Sequence, residues 1–511
     1  MVNNMTVEEA INATFHRFPR NDSYAIPGLY DLPETDATFP ILSCLIIFQM
    51  QTGFALVEAG IVRTKNSVNI MMKNIADVCI GGLAFWIFGF GLMFGRGEYT
   101  TPFFGAGDFF TDTKFGDPLT AGVFTLFLYQ MSYATTSNTI VSGALAERAR
   151  FSSYCLLTFV MTVLYSLGAG WMWGEHGWLH NLGAVDLSGG VIHIVGGSSG
   201  VLCAWFIGPR TGRYAKGREP LPMGSPLNAL IGLFILWWGW LAFNAGCSYG
   251  VAGAKWAYAV RAGVGTALST WGAGAFALVY SMFLHKGKVD VYEIISAIIA
   301  SLIMSNASCY IMPMSICVLF GAFTAFVSIS LIPVMDKLGI DDPIGCFSTH
   351  WTGGVMGYIS VGLFAENPVP LFTTMGREGL LMGGGWWFIT VQLIAIVALS
   401  CLGFFGAYPV IKLCNKILPL RLDVESEEIG CDIVEHGVTA HETLSMIQPP
   451  ITNSIKIKSD EVNLSLPVTP VTLNPPSFFD GSMRNRNLAQ YNLTFEGNES
   501  IANLPRPVPR L

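Results

Sequence analysis

Two histidines carry the sharpest chemical signal in this sequence. His193 and His350 each lie inside a long apolar stretch and open the same pattern, His193-Ile-Val-Gly-Gly and His350-Trp-Thr-Gly-Gly. An aspartate precedes each by seven or eight residues, Asp186 and Asp342. An ionisable side chain at the centre of a bilayer costs about 2.5–3.5 kcal/mol on insertion scales, so each one needs a reason. Neutral imidazoles from matching helices could hydrogen-bond each other and line a narrow path for a small polar molecule. Two other readings stand beside it: separate packing histidines, each bonded to a backbone carbonyl, or a haem or metal pair. Haem bundles usually supply two pairs of histidines, whereas two of the eight here are intramembrane, which disfavours the last reading.

The other candidate groups are aromatic or acidic. Tyr129, Tyr133, Trp171, Trp173, Trp178, Trp237, Trp238, Trp240 and Phe243 crowd particular segments. Most such rings belong to the aromatic belt of a membrane interface. A subset facing a cavity could hold a small cation by cation–π attraction, worth about 2 kcal/mol when desolvated. Glu58, Asp77, Glu147-Arg148 and Asp341-Asp342 lie at or near segment ends. Helix capping and ion pairing account for them at least as well as a place on a solute path. Glycine pairs such as Gly196-Gly197 and Gly353-Gly354 permit close helix approach and lack the Lys-Thr of a phosphate loop. No GxSxG, HExxH or Ser-Lys arrangement appears, so nothing reads as catalytic and no cofactor or metal is expected.

These residues need a membrane scaffold. The 511 residues are 52% hydrophobic and 12% charged, with mean hydropathy +0.50. Soluble domains carry about twice that charged fraction, so lipid is the expected solvent. A hydrocarbon core of about 30 Å needs about 20 apolar residues in helical form. Eleven stretches qualify: 38–62, 75–95, 120–146, 152–174, 190–208, 226–249, 256–284, 290–310, 314–335, 344–366 and 385–412. One set of loops between them holds twelve Lys and Arg, the opposite set five. The basic set belongs in the cytoplasm, which puts the N-terminus outside and the C-terminus inside. Sequons at Asn4, Asn12 and Asn21 agree with an exterior N-terminal segment, 1–37, which shows no cleavable signal-peptide pattern.

The expected fold is all-α and integral to the membrane. Glu58-Ala-Gly in the first stretch is echoed by Asn244-Ala-Gly in the sixth, and the histidine patterns fall in the fifth and tenth. Five helices used twice, five being odd, make the second copy inverted. The transporter domain would span 38–412, followed by a segment 413–440 and a Pro- and Asn-rich tail, 441–511, expected to be disordered. The net charge of −7 forms no Lys/Arg-rich stripe, so no nucleic-acid partner is expected. Of eleven cysteines, Cys44, Cys79, Cys155, Cys203, Cys247, Cys317 and Cys401 lie in apolar stretches without a CxxC pair and read as small core residues.

At these residues the sequence resembles the ammonium transporter family (Amt, Mep and Rhesus proteins), closest to the Amt branch and animal-like. Arg63-Thr-Lys-Asn-Ser-Val-Asn-Ile-Met, Gly143-Ala-Leu-Ala-Glu-Arg-Ala-Arg-Phe, Gly208-Pro-Arg-Thr-Gly-Arg-Tyr, Trp240-Leu-Ala-Phe-Asn-Ala-Gly and Asp341-Asp-Pro-Ile-Gly-Cys-Phe-Ser-Thr-His carry the likeness, in order across 38–437. The resemblance implies a homotrimer in the plasma membrane, one pore per subunit, with ammonium or ammonia as the solute. Tyr133 and Phe243 match its stacked vestibule aromatics, Trp173 its cation-attracting ring, His193 and His350 its paired pore histidines. Asp186 matches the aspartate supporting recruitment. Cys247 stands where the family usually places a serine, and the Asp186-to-His193 spacing of seven is one short of the family's eight. In the segment resembling the family's regulatory tail, Val434 replaces the phosphorylatable threonine of plant members. The resemblance implies recruitment, deprotonation and passage of ammonia, with net electrogenic uptake. An electroneutral gas channel and an ammonium sensor with little flux are its alternatives.

Overall fold

A chain crossing lipid must satisfy its own backbone hydrogen bonds, and a helix does so within one segment. The computed structural model describes residues 34–117, 119–216, 221–367, 371 and 373–438. The three sequon asparagines and the Pro-rich tail lie outside these residues.

Among the described residues the long elements are all helices. They are α1 (Glu34–Ile61), α2 (Thr64–Phe94), α3 (Thr120–Ala144), α4 (Phe151–Trp173), α5 (Gly190–Ile207) and α6 (Pro226–Gly246). There follow α7 (Lys255–Leu284), α8 (Val291–Ser308), α9 (Met314–Lys337), α10 (a π turn Cys346–Trp351 continuing as Thr352–Phe364) and α11 (Trp386–Ile417). Nine of them are long and apolar enough to cross a membrane. The exceptions are α3 and α10, and their composition explains it. In α3, Gln130, Thr135, Asn138, Thr139 and Ser142 are all buried. Their partners are other helices: Gln51 Nε2 donates to Thr135 Oγ1 at 2.9 Å, and Asn138 Nδ2 to Thr162 Oγ1 at 2.7 Å. The polar part of α3 is enclosed by other helices and need not be apolar, while Phe124 and Leu128 nearer its start are exposed.

Packing runs in matched pairs: α1 along α6, α3 along α5, α8 along α10. The outer faces carry exposed Leu45, Trp205, Phe234, Val279, Leu319 and Val397. So much apolar surface suits lipid or further subunits rather than water. The cysteines correct one expectation. All eleven are free thiols, but Cys79 and Cys401 sit on this exposed surface and Cys155 is half-buried, so only Cys44, Cys203, Cys247 and Cys317 of the seven are core residues. A thiol is small and weakly polar, and tolerates an apolar outer face as readily as a core.

At the end of the bundle where α2 begins, buried charges join the helices. The Arg210 guanidinium bonds Asp341 twice, at 2.8 and 2.9 Å, and Glu147 at 2.5 Å. Arg63 reaches the second oxygen of Glu147. Two short helices, α12 (Val424–Ile429) and α13 (Cys431–His436), dock on the same end. The Asp432 carboxylate accepts the backbone N–H groups of Val68 and Asn69 at 3.0 and 2.7 Å, satisfying donors that the start of a helix leaves free. Glu435 accepts from Phe151 N at the start of α4. Asp432→Ala is expected to loosen this docking by about 1 kcal/mol. Hydrogen exchange should show α13 and the first turn after Ser67 losing protection together, with the bundle core unchanged.

Candidate functional site

The glycine pairs that follow each histidine set the site. A Cβ on Gly197 of α5 would come within 2.6 Å of Trp351 N in α10, and one on Gly354 within 3.0 Å of Gly190 O in α5. The two helices therefore cross almost backbone to backbone, and the residues one turn earlier, His193 and His350, are brought face to face. Their rings stack at 5.3 Å with 15° between planes, and Nδ1 lies 3.1 Å from Nδ1. A bond between like nitrogens requires one ring to donate and the other to accept, so the two imidazoles hold opposite tautomers. Both are buried, and His193 Nε2 has no partner.

The start of each helix is fixed in the same manner. Asp186 accepts from the N–H groups of Gly189, Gly190 and Val191 at 2.7–2.9 Å. Asp342 accepts from those of Gly345, Cys346 and Phe347 at 2.9–3.1 Å. In α5 the seven residues from Asp186 to His193 run into a regular α-helix. In α10 there are eight, and the additional one is taken up by the π turn Cys346–Trp351. Both loops reach these geometries through glycines with positive φ, Gly189 at 125° and Gly345 at 80°. Asp186 thus serves as a helix cap whose second oxygen also accepts from Tyr358 OH at 3.0 Å, rather than as part of the ring column described next. Burial raises its carboxyl above the usual range, against the pull of those backbone donors.

From the histidines a continuous file of rings runs toward the Asp186 end. His193 stacks on Trp240 (5.7 Å), Trp240 meets Phe243 (5.6 Å), Phe243 stacks on Tyr133 (4.4 Å, 24°) and Tyr133 meets Trp173 (5.8 Å). Trp173 is half-buried; the others are enclosed. Hydrogen bonds hold the rings from outside the file. Tyr133 OH donates to Tyr129 OH at 2.6 Å, Tyr129 OH to Phe243 O at 3.0 Å, and Trp240 Nε1 to Asn306 Oδ1 at 2.6 Å. Trp173 Nε1 donates to Asp186 O at 2.8 Å, which ties the outermost ring to the cap of α5. Cys247 lies beside this end: its thiol donates to Asn244 O at 2.9 Å and its sulfur is 3.5 Å from that of Cys309.

Five of the seven expected site residues, Trp173, Tyr133, Phe243, His193 and His350, therefore share one file; Cys247 flanks it and Asp186 supports it. Sequence reasoning left Trp240 among the belt rings and did not single out Phe54, which meets His350 at 6.2 Å. The signal was available. Phe54 and Trp240 each stand four residues before the echoed Glu58-Ala-Gly and Asn244-Ala-Gly. Chemically, ring faces, two imidazoles and one free ring nitrogen can strip a small cation of water and exchange a proton with it. No three His, Cys, Asp or Glu side chains among the described residues gather as metal ligands.

The profile described as Ammonium Transporter Family matches residues 37–441. "Putative ammonium transporter 3" of Caenorhabditis elegans is 37% identical over 422 residues, which are 81% of this chain. The chain spans 61% of that relative's length. Ammonium transporter Amt2 of Archaeoglobus fulgidus is 33% identical, over 80% of this chain and 89% of its own length. Among solved structures, one titled Sensor Amt Protein superposes with TM-score 0.72 at 26% identity, covering 79% of this chain and 98% of that one. Mep2 of Candida albicans shares the fold at TM-score 0.71 and 24% identity, over 83% of this chain and 94% of its own.

Proposed function

The chain belongs to the ammonium transporter family, and on that premise we propose that it takes up ammonium electrogenically through the ring file and the histidine pair. Ammonium leaves water at Trp173, Tyr133 and Phe243, where ring faces and the Cys247 sulfur replace part of its hydration. Each well-placed desolvated ring contributes about 2 kcal/mol. The ion gives up a proton there, and ammonia passes Trp240, His193 and His350 as a neutral molecule. Potassium, of similar size, has no proton to give and is refused. The observation that carries this reading is the unbroken file of rings ending on a hydrogen-bonded imidazole pair with one unpartnered nitrogen.

In this reading all eleven long helices cross the membrane, N-terminus outside, and α1–α5 and α6–α10 are inverted copies. The paired packing of α3 with α5 and α8 with α10, and the two identical aspartate caps, support the repeat. Three subunits, each with its own path, would stand in the plasma membrane, with the sequon-bearing segment outside and glycosylated. The solute is ammonium.

Voltage clamp of cells expressing the chain should show inward current that saturates with external ammonium and is absent with potassium alone. Uptake without current would replace this reading with an electroneutral gas channel. The docked α12 and α13, together with the likeness to a protein titled as a sensor, favour a second reading in which little solute moves. Labelled-ammonium uptake at background in a transporter-deficient cell would select it.

A further inference from the structure

Beyond the ring file lies a cleft that touches the imidazole pair from one side. Phe54, Val57, Glu58, Ile140, Thr349 and His350 line it, with further isoleucines; His193, Trp240 and Phe243 do not. It therefore adjoins His350 on the far side of the pair from the vestibule rings. Besides His350, three polar side chains interrupt its apolar wall: Glu58, Thr349 and Ser296. Glu58 is 2% exposed, and its carboxylate accepts from Asn74 Nδ2 at 2.7 Å and from Ser142 Oγ at 3.0 and 3.1 Å. No basic side chain among the described residues pairs with it; Lys73, one residue before Asn74, is fully buried, makes no hydrogen bond through Nζ and lies 5.7 Å from the centre of the Tyr154 ring. Thr349, the residue before His350, is 2% exposed and its Oγ1 has no hydrogen-bond partner. A buried hydroxyl left unpaired is unfavourable, and a small polar guest in the cleft removes that penalty.

We propose that Glu58 and Thr349 form a second solute site, in which ammonia leaving the imidazoles is returned to ammonium. The inference deepens the transport reading above and rests on it. The proton released by ammonium at the vestibule enters His193 at Nε2 and crosses the Nδ1···Nδ1 bond to His350. His350 passes it to the Glu58 carboxylate, which becomes the neutral acid. Ammonia follows through the file, donates an N–H to Thr349 Oγ1 and takes the proton from Glu58. One ammonium ion then sits against a regenerated carboxylate, and the imidazoles regain their starting tautomers by exchanging protons one for one with water, His193 losing its Nε2 proton and gaining one at Nδ1 while His350 loses its Nδ1 proton and gains one at Nε2. One ammonium enters and one leaves, so each cycle carries one charge. Without a proton acceptor at this end, ammonia would still cross but its charge would not.

The test measures current and nitrogen-15 ammonium uptake in the same cells expressing the full chain, and takes their ratio. Glu58→Gln keeps the shape of the side chain but cannot carry a proton. It is expected to lower charge moved per solute by about ten-fold or more, with Glu58→Asp recovering part of the ratio at equal surface expression. Thr349→Val, nearly isosteric, should reduce uptake at low ammonium and leave the ratio unchanged. A Glu58→Gln protein with the wild-type ratio overturns the proposal. If that variant fails to reach the surface, unchanged uptake in Thr349→Val overturns it instead. Wild-type cells are measured first: absence of any ammonium-dependent uptake there overturns the transport reading, and this site with it.

Discussion

Replacing His350 with Ala is expected to stop ammonium uptake, or to open the path to potassium, while the protein still reaches the membrane. The structural cost is small. His350 bonds only His193 among its ring contacts, so truncation leaves one buried nitrogen unpaired, worth about 1–3 kcal/mol. The chemical cost is large. Between Trp240 and Phe54 the lumen would lose the acceptor that makes a dry crossing tolerable, and the vacated space would admit water. A water-filled gap hydrates potassium as well as ammonium and no longer requires a proton to be shed. Loss of a positioned proton-transfer group commonly costs about a hundred-fold or more in rate. Labelled-ammonium uptake, and potassium-dependent growth of a deficient strain, report the two outcomes. Normal selective uptake by the variant would make the pair a packing contact.

Arg210→Ala should have the largest effect on folding, a loss of about 3–5 kcal/mol. The guanidinium is 8% exposed and joins two buried carboxylates, so its removal strips Asp341 of its two-pronged partner and Glu147 of one of its two guanidinium partners. Arg63 remains within reach of Glu147, while Asp341 keeps the backbone N–H of residue 210 at 2.8 Å and Arg213 at 3.7 Å. Arg210→Lys should recover only part of the loss, since an ammonium cannot form the two-pronged bond to Asp341. The same cluster sets an acid limit. Burial alone would raise the Asp341 carboxyl, but the bond and charge of Arg210 hold it down to about 2. Glu147 is likewise held below the usual range by Arg210 and Arg63, against burial. Carboxylates depressed on folding stabilise the protein above their unfolded values, near 4, and that contribution drains away as pH falls toward 2. Thermal melts of detergent-solubilised protein should therefore fall steeply below about pH 4 in wild type and less so in Arg210→Ala.

Much of this was legible in the chain. The apolar stretches located the helices because lipid forces each segment to close its own hydrogen bonds. The histidine-glycine patterns located the crossing because only glycine lets two backbones meet there. Pairwise ring contacts were not legible, since burial depends on which face of a helix meets a neighbour. Trp238, exposed, and Trp240, enclosed, are two residues apart in the same apolar run. The acidic residues were read as end-of-helix groups, which holds for Asp342, for Glu147 and for Glu58 in the last turn of α1, but not for Asp77, which is buried in the interior of α2. Surface exposure of Cys79 and Cys401 was hidden for the same reason, because composition does not distinguish an apolar neighbour from an apolar surrounding.

The wide turn at Cys346–Trp351 also governs which length changes the chain can bear. Each residue of an α-helix advances the side chains by about 100°. Deleting a single residue between Asp342 and His350, with the cap retained, would either relax this turn to ordinary pitch or swing the imidazole out of the lumen. Relaxation would give the second half the spacing of the first, so a one-residue deletion is survivable here and nowhere in the matching stretch before His193. Insertions follow the opposite rule, since the wide turn has already absorbed its one surplus residue while Asp186–His193 still has room to form such a turn.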